Sequence, residues 1–318
     1  MGNRIWVYLN FKNLLRITYY LKTVEANLEN RSWRGSLQLV FARQDDRTKL
    51  VGDRVRAPLK VQRPFYPEGS QVCHSVILHT AGGVVGGDRL EQIVRLEPDS
   101  RALITTAAAG KVYRSNGLCA QQTVTLEVGS RACLEWLPQE TIIFNGADYR
   151  QDLRVELAPE ASWLGWEILR LGRTARGEKF VRGNLRSHTE VWREGVPLWI
   201  DRQWLPGCED VFESPHGLAG QPVVGSLVWV GGVATPEMVA AARSKFTTQF
   251  TTNGIENTPP SSPKPPPEIG VTRLTEGLIC RYRGQSTRDV RRWFTTVWDV
   301  LRSSYLNRPA CPPRVWFG

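Results

Sequence analysis

From Trp33 onward, apolar and polar residues alternate in short runs. Leu37, Leu39 and Phe41 share one parity, as do Val124, Leu126 and Val128 against Thr123, Thr125 and Glu127. Leu153, Val155 and Leu157 against Asp152, Arg154 and Glu156 repeat the pattern. A period of two, broken by Gly, Pro, Asn and Asp, predicts many short strands with one face toward a core. Residues 1–26 show no such period and read as an N-terminal extension, or as a translation start assigned too far upstream.

A second, longer rhythm lies over the first. Residues 96–103 (LEPDSRAL), 126–133 (LEVGSRAC) and 157–164 (LAPEASWL) resemble one another, each reading as strand, tight turn, strand. A spacing of about 30 residues is what stacked β coils produce. Two helical stretches interrupt the strands. Thr235, Pro236 and Glu237 offer a cap, a proline in the first turn and an acid near the positive helix end, ahead of residues 238–243. Near the C-terminus Thr287 is placed to cap a helix in which Val290, Phe294, Val297, Trp298 and Leu301 recur every three or four residues. Residues 247–270 between them contain the run TPPSSPKPPP and too little apolar surface to fold, so they read as a disordered Pro-rich insertion. The expected architecture is mainly β: one stacked-strand, β-solenoid-like domain with two helices, made of residues 27–246 and 271–318.

Composition narrows the function classes. With 318 residues, 41% hydrophobic and 23% charged, the chain is an ordinary globular protein. The apolar stretch at residues 5–21 is broken by Lys12 and Arg16 and lacks a cleavage site, so neither a membrane span nor a secretory signal is expected. Six scattered cysteines without a CxxC pair predict reduced thiols in the cytoplasm. The four histidines form no zinc-type cluster, so no tightly bound cofactor is expected. His74 shares a strand face with Val76 and Leu78 and reads as a core histidine. The 41 Lys and Arg against 31 Asp and Glu, a net charge of +10, are spread along the chain and favour acidic partners without any nucleic-acid-binding motif.

Three segments carry candidate chemistry. Residues 82–88 (GGVVGGD) suggest backbone at positive φ or in close approach, but no Walker lysine follows, which leaves a structural turn ending in Asp88. In residues 135–144, Pro138 bends the chain and aims Glu140 away from its apolar flanks. Residues 172–180 form a glycine-bounded charged loop in which Arg173 and Arg176 can fork onto carboxylates of a partner or of the chain itself, Glu178 among them. No nucleophile elbow is present, and no strand aligns paired acids with aromatics as a carbohydrate-active solenoid would require.

Taken together, these segments resemble the urease accessory protein UreD (UreH) family. The resemblance rests on residues 57–69 (APLKVQRPFYPEG), 82–88, 105–114 (TTAAAGKVYR), 136–140 (WLPQE), 172–178 (GRTARGE) and 312–316 (PPRVW), in that order. It implies a largely β fold with two helices and no reaction of its own. It also implies binding to apo-urease (UreA, UreB and UreC), to UreF and, through it, to the GTPase UreG, with nickel handed inward. Nickel is a borderline cation, and a transit path suits weak carboxylate, carbonyl and water contacts. Asp88, Glu140 and Glu178 are the candidates for that path, and Arg173, Arg176 and Trp298 those for partner contacts. A basic nucleic-acid-binding module and a carbohydrate-active β-solenoid are the rival readings.

Overall fold

The computed structural model describes residues 32–252 and 265–317, so the expected N-terminal extension lies outside the described residues. The chain winds between two sheets. Strands β4 (Cys73–His79), β6 (Arg101–Thr106), β9 (Cys133–Trp136) and β12 (Ser162–Leu171) run parallel in a 10-stranded sheet. Strands β5 (Arg89–Leu96), β8 (Ala120–Val128), β11 (Asp148–Leu157) and β13 (Asn184–Arg193) run parallel in a 7-stranded sheet. Because the chain visits the two sheets in turn, each pair of strands is one coil of a flattened solenoid, as the 30-residue rhythm requires.

The repeated segments are the corners of successive coils. Leu96 sits opposite Val128, and Val128 opposite Leu157. Each corner holds one non-glycine residue at positive φ: Asp99 at 62°, Arg131 at 57° and Glu160 at 61°. The corners bond to one another through Asp99 N to Ser130 O (3.0 Å) and Arg131 N to Pro159 O (3.3 Å), so each turn supplies partners for the next. Antiparallel strands complete both sheets. In the 7-stranded sheet β1 (Arg34–Gln44) pairs with β2 (Arg47–Arg56), and β14 (Val196–Pro206) closes on β13. In the other, β15 (Val223–Val230), β17 (Gly277–Gly284) and β16 (Glu268–Leu274) extend from β12.

Two apolar layers share the 10-stranded sheet. One lies between the sheets and includes Leu37, Leu39, Phe41, Val124, Leu126, Val155 and Leu157, the residues that alternation singles out. The other packs helices α2 (Pro236–Thr252) and α3 (Thr287–Tyr305) onto the sheet's outer side. A short helix, α1 (Glu209–Glu213), precedes them and has no apolar periodicity to announce it. Thr235 Oγ1 accepts from Met238 N at 3.3 Å, capping α2 as expected. The cap of α3 is Ser286, accepting from Asp289 N at 3.2 Å, one residue before the expected Thr287. Within residues 247–270, the end of α2 and the first residues of β16 are regular structure: β16 gains its order by pairing with β17, which composition does not reveal. Residues 253–264 lie outside the described residues.

Val290, Phe294, Val297, Trp298 and Leu301 are all buried, as their spacing predicts. Trp298 is 0% exposed, with its ring near those of Trp166 and Trp316. It is therefore a core residue and presents nothing to a partner, which corrects the partner-contact expectation: the same apolar face was needed to seat the helix. Its Nε1 donates to Glu135 Oε1 at 2.7 Å. Trp298→Phe is expected to lower stability by about 1–3 kcal/mol, because it removes a donor from a buried carboxylate and leaves a small void. Urea unfolding measures this.

The least expected element of this layer is Arg302, also 0% exposed. Its Nε donates to Glu135 Oε1 (2.9 Å) and its Nη2 to Glu135 Oε2 (3.1 Å). The same guanidinium donates to Glu68 Oε2 (2.8 Å) and Oε1 (2.7 Å), and to Pro309 O (2.5 Å). Tyr305 Oη donates to Glu135 at 2.6 Å, and His74 Nε2 lies 2.7 Å from Glu68 Oε1. His74 is thus buried as expected, but within an ionic knot that ties β4, β9, α3 and the C-terminal segment together.

Candidate functional site: a polar cavity between the sheets

Strand alternation should fill the space between two sheets with apolar side chains. Toward one side it does not. Gln122 on β8, Gln151 on β11, Ser187 on β13 and Gln203 on β14 are aligned across the 7-stranded sheet, all on its inner face. Asp201 and Thr189 form the adjacent pair. Facing them, Glu167 on β12, Ser226 on β15 and Arg281 on β17 are likewise aligned. Of these, Gln122, Gln151, Thr189, Asp201, Glu167 and Ser226, together with Gln92, border a cavity of about 490 Å³. It shares Glu167, Asp201 and Ser226 with a neighbouring cavity of about 290 Å³ bordered by Gln203, Arg281 and Tyr282.

Gly165 and Trp163 show how the sequence makes room. A Cβ at Gly165 would stand 2.2 Å from the Trp163 ring, so only glycine lets that indole lie across the strand. At one end the cavity is rimmed by Gly82, Ala108, Gly110 and Lys111, which are exposed. The glycine-rich loop shapes this rim. Val84 N donates to Lys111 O (2.7 Å) and Tyr113 N to Val84 O (2.9 Å), while a Cβ on Gly83 (φ 154°) would meet the Tyr113 ring at 2.5 Å. At the other end, Arg281 Nη1 donates to Asp201 Oδ2 and to Ser226 Oγ, both at 2.8 Å.

Glu167 is the central group. Gln151 Nε2 donates to Glu167 Oε1, and Ser187 Oγ lies 3.1 and 3.2 Å from its two oxygens. Burial pushes its carboxyl up to about 7; the Ser187 bond pulls it down and the neighbouring Asp201 adds to the rise. Near neutral pH it therefore exchanges a proton readily, which suits a ligand that takes up a cation as it gives up a proton. Sequence reasoning missed it, although one signal was present. In the run Trp163, Gly165, Glu167, Leu169, Leu171, it is the one charged residue of the inward parity.

The structure does not bring the three acids of the expected nickel path together. Asp88 is fully buried and accepts from Trp33 N (2.8 Å) and Val85 N (2.9 Å), which pins the glycine loop. Glu140 pairs with Arg291 of α3. Glu178 accepts from Asn145 N (2.9 Å) and from Arg173 Nε (2.8 Å), while Arg173 also stacks over Phe144 at 4.5 Å. Burial alone would push the Glu178 carboxyl up, but Arg173 and the backbone N–H groups outweigh it and hold it below the usual value. None of the three borders the cavity. A bend in the chain exposes a carboxylate to neighbours of any kind, and here those neighbours are arginines and backbone donors. Arg176, in the one-turn helix Thr174–Arg176, is exposed.

The fold and site define a class: a two-sheet solenoid, backed by helices on one side, with a cavity between its sheets whose largely apolar wall carries a cluster of polar groups. A model of the UreD urease accessory protein family matches residues 34–317. A urease accessory protein UreD of Trichormus variabilis is 61% identical over 89% of this chain and 96% of its own length. The UreD of Nostoc punctiforme is 61% identical over the same shares, and that of Methylobacillus flagellatus 40% over 93% and 98%. The chain belongs to the UreD family of urease accessory proteins; it is an accessory protein and not an enzyme, which removes the carbohydrate-active reading. Segments 82–88, 105–114 and 136–140, three of those that carry the resemblance, all contribute to the cavity border. Among the described residues, no helix is long and apolar enough to cross a membrane.

Proposed function

We propose that this protein matures urease in the cytoplasm by holding apo-urease (UreA, UreB and UreC) together with UreF and UreG, and by passing nickel through the cavity between its sheets. The observation that carries the conduit is the set of polar groups in an otherwise largely apolar lining. Gln92, Gln122, Gln151, Ser226, Asp201 and Glu167 place amide, hydroxyl and carboxylate oxygens where a sandwich would otherwise be apolar. Oxygen donors of this kind hold a borderline divalent cation weakly enough to let it leave. On this reading Glu167 and Asp201 take the transit role in place of Asp88, Glu140 and Glu178, which are tied instead to backbone N–H groups and arginines. Arg176 is the remaining candidate for an acidic partner surface, since Arg173 is held by Glu178.

Glu167→Gln tests the conduit because it keeps shape and hydrogen bonding while deleting the charge. The variant is assembled with UreF, UreG and apo-urease, and complex yield and urease nickel content are measured separately. A normal complex with several-fold less nickel is the expected result. Normal nickel in both Glu167→Gln and the Glu167→Gln/Asp201→Asn double variant sinks the conduit reading.

A further inference from the structure

The structure assigns a second metal site, outside the cavity, to Glu68, His74 and Cys311: a moderate-affinity, exchangeable site for a borderline divalent cation such as Ni²⁺, Co²⁺ or Zn²⁺. One ligating atom from each of the three residues lies within 4.8 Å of the others. His74 Nε2 and Glu68 Oε1 are 2.7 Å apart. Bonds of about 2.0–2.1 Å to nitrogen and oxygen place neighbouring ligands about 3.3 Å apart on a tetrahedral ion and about 2.9 Å apart on an octahedral one, so this pair need move apart by only about 0.2–0.6 Å to chelate. An imidazole, a carboxylate and a thiol select borderline transition metals over Mg²⁺ or Ca²⁺.

The site is built rather than incidental. Arg302 Nη1 reaches both Glu68 Oε2 (2.8 Å) and Pro309 O (2.5 Å), and Arg308 Nη1 donates to Glu68 O at 2.8 Å. These bonds hold the C-terminal segment against β4, which puts half-buried Cys311 beside fully buried His74. The thiol also supplies the route inward from the surface.

Charge argues in the same direction. Glu135 accepts from Trp298, Arg302 and Tyr305. Two carboxylates, Glu68 and Glu135, thus share the Arg302 guanidinium. A divalent cation would add positive charge beside these two carboxylates, and binding Cys311 as a thiolate releases the thiol proton. Burial, and next the Glu68 carboxylate, push the Cys311 thiol up. On metal binding the His74 proton moves from Nε2 to Nδ1, where it meets no partner. A ligating histidine ordinarily donates that second N–H to an acceptor, so its lack here, together with nearby Arg302, limits the affinity.

The test uses the purified full chain without partners and so is independent of the conduit reading. Ni²⁺ or Co²⁺ alone is titrated in, and thiolate-to-metal charge-transfer absorption is followed. One equivalent of metal should develop the band. Cys311→Ala should abolish it and weaken binding at least about tenfold, the minimum expected for loss of a group more intimate than an outer-shell partner. His74→Gln, whose amide can still donate to Glu68, should weaken binding similarly. Cys119→Ala and Cys208→Ala, at other half-buried thiols, should leave the band intact. A band that survives Cys311→Ala, or wild-type protein that develops none, overturns the site. If His74→Gln does not fold, Cys311→Ala decides alone.

Discussion

Replacing Arg302 with methionine is expected to cost about 3–5 kcal/mol of stability near neutral pH, the loss typical when one member of a buried ionic group is removed. The guanidinium is fully buried and serves both Glu68 and Glu135, so its removal leaves two carboxylates without the cation they share. The acid dependence gives a second reading. Burial pushes the Glu68 carboxyl up, but its bonds to His74 and Arg302 outweigh this and hold it below the ordinary range. Such a group adds stability above its unfolded pKa, and that contribution disappears as the pH falls through the lowered folded value. Without Arg302 there is little left to lose, so wild type and variant should converge in acid. Glu68→Gln/Glu135→Gln/Arg302→Met should recover much of the loss, since exchanging all members of a buried ionic group for neutral ones is far milder than removing one. Urea unfolding across pH measures all three proteins. A single variant that unfolds like the wild type at neutral pH would show the knot to be energetically idle.

Glu167→Gln is expected to make the protein more stable while making it worse at its task. With its carboxyl raised from an ordinary 4.5 to about 7, Glu167 is protonated in the folded chain over a window in which the unfolded chain is ionised. The unfolded state then binds fewer protons, so stability falls as pH rises across that window, and the full penalty applies above it. A shift of this size corresponds to a penalty on the order of 3 kcal/mol. The glutamine variant carries no such charge, and the Gln151 amide can turn to present its oxygen. Thermal unfolding should show the variant matching wild type below the window and exceeding it at mildly alkaline pH. Parallel stability–pH curves for the two proteins would show that Glu167 titrates normally and would remove its claim as a proton-exchanging ligand.

How far these features could be read in advance depended on whether they were local. The parity of Leu37, Leu39 and Phe41, the repeated corners at 96–103, 126–133 and 157–164, and the buried face of α3 are each set by a few neighbouring residues, and all three appear as expected. The cavity is different in kind. Gln122 and Gln151 are single polar residues among inward Val124, Leu126, Leu153 and Val155, and each alone reads as a weak strand position. Only the register that stacks them, opposite Glu167 from the other sheet, turns them into a lining. The same holds for Arg302, whose partners Glu68 and Glu135 are 234 and 167 residues distant in sequence. Asp88, Glu140 and Glu178 were conspicuous because glycine and proline surround them, yet that punctuation marks turns, and turns need anchors.

The coil architecture also gives the cavity a unit of length. Gln92, Gln122 and Gln151 come from successive windings, so the lumen is extended or shortened by whole windings. Duplicating one coil would add a ring of lining and leave the others in place. Inserting a single residue within a strand would instead rotate every later side chain of that strand to the opposite face, turning amides outward and aliphatics into the lumen. Change in bore length is thus quantised by the winding, whereas change in chemistry proceeds one substitution at a time.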